Sequence, residues 1–321
     1  MQTQASSTPK AVEDEYHELF HYTSAAGLKG ILETQSLWAS HALHQNDAEE
    51  IKLFFDRRLT TIIEEELSAV STAENQGSIK ATAVQFKDSI KKVTLAFNQP
   101  YIFSMCGTND GRIAEHGLLS QWRGYGKEGG YALVFETGGF KQQLGRERDR
   151  FHYQSMQWAN VYYHDEKSAN QRVAPEIFQA EMALRAGIRE FASNPGEDVM
   201  QSTYEAVTTL SCLYKHWGFA EEHEIRVVAI PAHSSVRNAA SLDGKPAKPQ
   251  RTFIRSGCPI PYIELLAPPT RASPKELLPI RRIIVGPHRD KEQRRDAVQL
   301  IIDEVGIQAE VTISEIPYIG S

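Results

Sequence analysis

Leu19-Phe20-His21-Tyr22-Thr23, followed by Ser24 to Thr34 and then Leu37-Trp38-Ala39-Ser40, is the stretch on which the reading of this chain turns. It reads as a buried strand, a short amphipathic helix and a second strand. A strand that ends in His-x-Thr and runs straight into a helix aims an imidazole and a hydroxyl into a cleft. Far along the chain, Glu221-Glu222-His223-Glu224 leads into the apolar run Ile225-Arg226-Val227-Val228-Ala229-Ile230 and puts an acidic E-x-E pair at the mouth of another strand.

The composition sets wide bounds. With 321 residues, 41% of them hydrophobic and 24% charged, the chain can bury a sizeable core, and a formal charge of -6 argues against a broadly nucleic-acid-binding surface while allowing a local basic groove. No apolar run approaches the roughly 20 residues of a spanning helix, and Met1 to Asp14 lacks the apolar core of a secretory signal, so no membrane association and a cytoplasmic location are expected. Cys106, Cys212 and Cys258 are odd in number and without C-x-x-C spacing, which indicates neither a disulfide framework nor a zinc site.

Residues 1–14, rich in Gln, Ser, Thr and Pro, read as a disordered leader, and 15–321 as a single α+β domain with helical insertions. Asn46-Asp47-Ala48-Glu49 looks like a capped helix start, with Ile51, Phe54, Phe55, Ile62, Ile63 and Leu67 at helical spacing behind it. Strands are expected at Tyr101 to Cys106 and Gly130 to Glu136, with a short helix from Leu118 to Tyr125 between them. A helical insert is expected at about 165–217, a polar surface loop at about 232–252, and a strand-helix-strand return onto the sheet at about 281–314.

Several side chains are candidates for chemistry. Thr23 is placed to cap the following helix or to touch a ligand through its backbone. Trp122 and Tyr125 lie three apart on one helix, so they share a face on which a flat ring could stack; ordinarily that spacing means core packing. Arg123 between them could meet a pyrophosphate bidentately. Arg57-Arg58, Lys127 and the Lys245 to Arg251 segment could supply local phosphate contacts. Taken without further context, Glu222 and Glu224 read as exposed strand-end acids, one of them paired with Arg226. The chain has no G-x-G-x-x-G fingerprint, no G-x-x-x-x-G-K-[ST] phosphate loop, no H-E-x-x-H and no G-x-S-x-G, which disfavours Rossmann dehydrogenases, P-loop NTPases, zinc hydrolases and α/β-hydrolases.

The opening block His21-Tyr22-Thr23 with Leu28, Ile31-Leu32 and Leu37 resembles the nicotinamide-binding region of ADP-ribosyltransferases, of both the diphtheria-toxin-like and the DNA-modifying classes. The chain also resembles a bacterial family of unknown function with HYT, ND-x-x-E, W-x-x-YG and E-x-E-x-R blocks, here His21 to Thr23, Asn46-Asp47-Glu50, Trp122 to Gly126 and Glu222 to Arg226. The resemblance implies an ADP-ribosyltransferase-like split β-sheet around an NAD cleft, with NAD as substrate and no metal. It implies that Glu224 stabilises the oxocarbenium-like ribose and Glu222 positions or deprotonates the acceptor, while His21 donates to a ribose or carboxamide oxygen. Tyr22, Thr23, Ser104, Trp122, Arg123 and Tyr125 complete the implied NAD site, with Ser104 bracing the catalytic Glu. ADP-ribose would pass to a macromolecule, nucleic acid slightly favoured over protein. An NAD glycohydrolase and a non-catalytic nucleotide- or nucleic-acid-binding sensor are the alternatives. A toxin or phage-defence effector, with an antitoxin or regulatory partner, is the implied setting.

Overall fold

A computed structural model of the chain describes residues 10–44, 48–69, 76–97, 100–125, 129–164, 174–231, 244–268 and 276–317. In chain order its elements are α1 (Val12–Glu15), β1 (Glu18–Thr23), α2 (Ala25–Thr34), β2 (Leu37–His41), α3 (Ala48–Leu53), α4 (Leu59–Ser68) and α5 (Gln76–Phe97). Then come β3 (Tyr101–Gly107), α6 (Gly111–His116), α7 (Leu119–Tyr125), β4 (Tyr131–Glu136), α8 (Thr137–Arg150), β5 (Tyr153–Asn160) and β6 (Tyr162–His164). The rest are α9 (Pro175–Ser193), α10 (Glu197–Leu213), β7 (Tyr214–His216), β8 (Glu224–Pro231), β9 (Gln250–Arg255), β10 (Cys258–Leu265), β11 (Ile280–Val285), α11 (Lys291–Val305) and β12 (Glu310–Ile313).

The fold is α+β, built on a mixed sheet in the order β12-β11-β4-β1-β3-β2-β10-β9, with β8 joined to β3 and β5 to β8. The β11–β12 pairing in this sheet is parallel; the others are antiparallel. Side chains alternate between the faces of each strand. On the first face, Leu19, Phe103, Met105, Leu133 and Val227 pack with α2, α8 and α11 into the largest core. The second face is covered in two places. Trp122 of α7 lies on Phe20, Tyr22, Ala132, Val134 and Ile284. Helices α3, α4, α5, α9 and α10 bury a second large core against Ile102, Ala159 and Val228. The part of the second face between these two covers is where the cleft forms.

α2 owes its ends to two residues. Ser24 Oγ accepts from Gly27 N at 3.2 Å, and Gln35 ends the helix in the left-handed region at φ 51°. Gln35 is held there by its own buried amide, which donates to Leu32 O at 2.6 Å and accepts from Leu278 N at 2.8 Å. The helix expected behind Asn46 is α3 and α4 joined without a break by a π turn, Phe54–Arg58; Asn46 and Asp47 lie outside the described residues.

Two expectations are corrected. Within the presumed leader, Val12–Glu15 is a helical turn with Val12 buried in the main core, while residues 1–9 lie outside the described residues. The polar segment ends earlier than expected because β9 begins at Gln250, and Lys248 before it is buried on Glu147, Nζ to Oε1 2.5 Å, with its Nζ over the Phe151 ring. The glycines Gly138 and Gly139 start α8: the Glu136 carboxylate accepts from both backbone N–H groups as an N-cap.

Candidate functional site

β3 is paired along one edge by β8, from Tyr101↔Ala229 to Cys106↔Glu224, but its other edge is shared. β1 reaches it only at Leu19↔Gly107 and Phe20↔Cys106, and β2 only at Ser40↔Ile102 and His41↔Tyr101. Between those contacts the sheet opens, leaving Phe103, Ser104 and Met105 without a strand partner on that side. A half-buried carbonyl in such a gap needs another donor. His21 supplies it: its Nδ1 donates to Ser104 O at 2.9 Å while its ring lies 4.5 Å from that of Phe103.

That hydrogen bond fixes the chemistry of His21. A carbonyl only accepts, so Nδ1 carries the proton and the neutral ring presents Nε2 as an acceptor. Burial, only partly offset by the Ser104 carbonyl, lowers the His21 pKa to about 4, so the ring is neutral at physiological pH. In this tautomer the ring has no second N–H to give, so Nε2 can only accept.

A cleft of about 340 Å³ occupies the gap and brings together His21, Tyr22, Ser104, Tyr125, Glu222 and Glu224. β8 alternation explains the acid end of it. Glu224 and Arg226 point to the second face, two residues apart, while Ile225 and Val227 point into the main core. Arg226 meets Glu224 bidentately, Nε to Oε1 at 2.7 Å and Nη2 to Oε2 at 3.0 Å, and Lys215 Nζ reaches the same Oε2 at 2.8 Å. Lys215 also binds Glu222 Oε2 at 2.8 Å, and Arg226 reaches Glu50 of α3 at 3.0 Å and Cys212 O at 2.7 Å. Among the described residues three carboxylates, those of Glu50, Glu222 and Glu224, share these two cations.

Glu224 is therefore not an exposed strand-end acid; it is 4% exposed. Burial alone would raise its pKa, but Arg226 and Lys215 outweigh that and hold it down to about 2. Glu222, at the end of the 3-10 turn Trp217–Glu222, is the more accessible of the two, and His223 between them takes the left-handed conformation at φ 42°. The backbone of Glu224 is also fixed, its N–H donating to Tyr163 Oη at 2.7 Å. Across the ladder lies Cys106, whose thiol is pushed well up by burial, then by Glu224 and Glu222, and is no nucleophile.

The remaining expected residues divide. Tyr125 stands on the rim, 55% exposed, but Trp122 is 1% exposed: its ring lies edge-on to Tyr22 at 4.8 Å and its Nε1 donates to His116 O at 3.0 Å. Tyr22 Oη accepts from Leu118 N at 2.8 Å, so this residue ties α7 to the sheet. Thr23 lies against the first turn of α2, where Gly27 leaves no room for a Cβ, and does not line the cleft. Arg123 is exposed on α7, away from the lining. Ser104 contributes its carbonyl to His21, and Glu224 is braced by cations instead. Of the expected phosphate contacts, Arg58 pairs with Glu181 of α9, Lys245 with Arg148 O, and Arg251 with Glu264; Lys127 lies outside the described residues.

In their place the lining includes Lys215, Arg255 and the exposed rings of Trp38 and Phe219. Trp38 was signalled by its outward position in the alternating Leu37-Trp38-Ala39-Ser40, and it is backed by Tyr262, 4.3 Å between centroids, and by Phe253. A second cleft of about 260 Å³, between α1, α8 and β5, is lined by Lys141, Glu13 and Trp158, and Lys141 pairs with Glu13.

Residues 121–227, about a third of the chain, match the model of a family described as protein of unknown function (DUF2971). The matched stretch contains Tyr125, Lys215, Glu222, Glu224 and Arg226, and leaves His21, Trp38 and Ser104 outside it. No curated protein and no solved structure matches the chain.

Proposed function

We propose that the cleft binds NAD and that the protein is an ADP-ribosyltransferase with a split-sheet fold of that class. The observation that carries the reading is the opening of the sheet at β3, where a neutral histidine, the buried Glu224 and the half-buried Glu222 line one cleft. In the reaction the bond between ribose C1′ and nicotinamide breaks, the bonding pair leaves with nicotinamide, and positive charge develops on the ribose. The carboxylates of Glu50, Glu222 and Glu224, gathered beside the cleft around Lys215 and Arg226, favour that charge inside a low-dielectric wall. Glu224 holds and orients through its charge, and Glu222, nearer the opening, takes the proton of the acceptor nucleophile as that nucleophile bonds to C1′. His21 Nε2 accepts from a ribose hydroxyl or the carboxamide N–H.

The rings of Trp38, Tyr125 and Phe219 give faces for the flat ends of NAD, and Arg255 gives a cation for its pyrophosphate. The acceptor is nucleic acid: exposed Arg255 beside the Trp38 platform pairs a phosphate contact with a stacking surface, the combination that single strands use. The test incubates purified protein with labelled NAD and measures free nicotinamide, alone and with cell lysate, then splits the labelled lysate between nuclease and protease. Nicotinamide release with label lost to nuclease supports the reading. Label lost to protease moves the acceptor to protein, release without label makes water the acceptor, and binding without release leaves a sensor.

A further inference from the structure

Lys215 stands where the helical layer, the acid pair and the cleft meet. α10 ends at Leu213 and β7 carries the chain out of the second large core, leaving Lys215 5% exposed. Its Nζ is 2.8 Å from Glu222 Oε2, 2.8 Å from Glu224 Oε2 and 3.6 Å from Glu50 Oε1, with the Phe219 ring 4.9 Å away. An ammonium has three N–H donors, and here three carboxylates from three different elements surround it. Without a cation between them, two carboxylates this close repel and one of them takes up a proton.

We propose that Lys215 is a positioning residue: it holds Glu222 and Glu224 in one orientation toward the cleft and makes that orientation depend on the packing of α3 and α10. The proposal builds on the reading of the cleft as an NAD site, although its electrostatic content stands without NAD. Among the described residues the groups facing Lys215 are Glu50 from α3, Glu222 from the 3-10 turn, and Glu224 and Arg226 from β8, with Tyr163 of β6 and Cys106 of β3 behind them. Glu222 meets Lys215 from a turn, while Glu224 is held in β8 and is also gripped bidentately by Arg226.

The experiment follows the side-chain carboxyl ¹³C shifts of Glu222 and Glu224 against pH in the full chain, its Lys215→Met variant and its Lys215→Arg variant, with nicotinamide release from labelled NAD and transfer of label to a lysate acceptor measured over the same range. In Lys215→Met the Glu222 midpoint is expected to rise by about one pH unit or more, and the acidic limb of the kcat/KM profile for transfer to the acceptor to move up with it. Lys215→Arg restores both. Unchanged midpoints in folded Lys215→Met overturn the proposal, as does a shifted midpoint with an unmoved profile. If wild type releases no nicotinamide, the NAD reading falls and the carboxyl titration still decides the role of Lys215. Should Lys215→Met not fold, the wild-type ammonium ¹⁵N signal decides: slow exchange with couplings to both carboxyl carbons supports the clamp, and rapid exchange overturns it.

Discussion

Glu224→Gln tests the buried cluster and is expected to weaken the fold as well as the reaction. In the native state the Glu224 carboxylate accepts three charge-assisted hydrogen bonds, at 2.7, 2.8 and 3.0 Å. A carboxyl held at about 2 against an ordinary 4.5 corresponds to about 3 kcal/mol of stability at neutral pH, at roughly 1.4 kcal/mol per unit. The sign follows from the depressed value: the contribution is complete above pH 4.5 and is lost as pH falls toward 2. Glutamine keeps the shape and one acceptor oxygen but leaves Arg226 with Glu50 and Cys212 O, and Lys215 with Glu222 and Glu50. Because both cations keep a carboxylate, the loss should stay near the low end of the about 3–5 kcal/mol seen when one partner of a buried pair is removed. Urea unfolding at pH 7 should therefore show Glu224→Gln less stable by about 3 kcal/mol, a midpoint shift of roughly 1 M for an m-value near 3 kcal/mol per molar. Between pH 4.5 and 3 the wild type should lose stability faster than the variant, so that their difference shrinks. A variant within about 0.5 kcal/mol of wild type at pH 7, or a difference that does not shrink with acid, would refute the assignment of Glu224 to a stabilising buried ion cluster.

Glu222→Gln, at the more accessible acid, should leave the unfolding midpoint nearly unchanged and spare nicotinamide release while reducing transfer to an acceptor; equal loss of both activities would contradict the division of labour. His21→Ala should weaken NAD binding by about 1–3 kcal/mol by calorimetry, and ¹⁵N NMR of wild type should show the Nδ1–H tautomer with a midpoint near pH 4; a midpoint above 6 would remove the buried acceptor. The two tryptophans should separate cleanly. Trp122→Ala is expected to cost about 3–5 kcal/mol of stability as a core truncation, whereas Trp38→Ala should keep the unfolding midpoint and weaken ligand binding. Lys248→Met, which strands the buried Glu147, should destabilise by about 3 kcal/mol with no change in NAD affinity.

The parts of the fold that could be read from residues were those with a local cause. β1, α2 and β2 carry their own alternation, helical face and cap, and β8 is announced by its apolar run, which Arg226 interrupts. β10 was hidden for an equally local reason, since Pro259 and Pro261 lack N–H groups and argue against a sheet position. The register resolves this: β2 pairs with β10 only from Tyr262 onward, so both prolines lie where that edge has no partner to donate to. Trp122 and Trp38 show the same limit. Helical spacing placed Trp122 beside Tyr125, but which face is covered depends on Gly117 and Gly286, where a Cβ would collide with the indole ring.

Burial of charge was the least legible feature, and the candidate site depends on it. A carboxylate at the start of an apolar strand reads as solvent-facing, because an isolated charge is costly to bury. What makes burial tolerable lies elsewhere in the chain: Glu50 on a helix before β3, Lys215 beyond α10, and Arg226 on the same strand face. None of these advertises its partners, since ion pairing has no sequence period. The ND-x-x-E block shows how much was within reach, for Glu50, its last member, turned up bonded to Arg226, the last member of E-x-E-x-R. Two short blocks that separately read as a helix cap and a strand-end pair are two halves of one charge cluster. The helical layer is thus bound to the cleft through charged contacts, and a change that repacks α3 against α10 must move the acids that line the cleft.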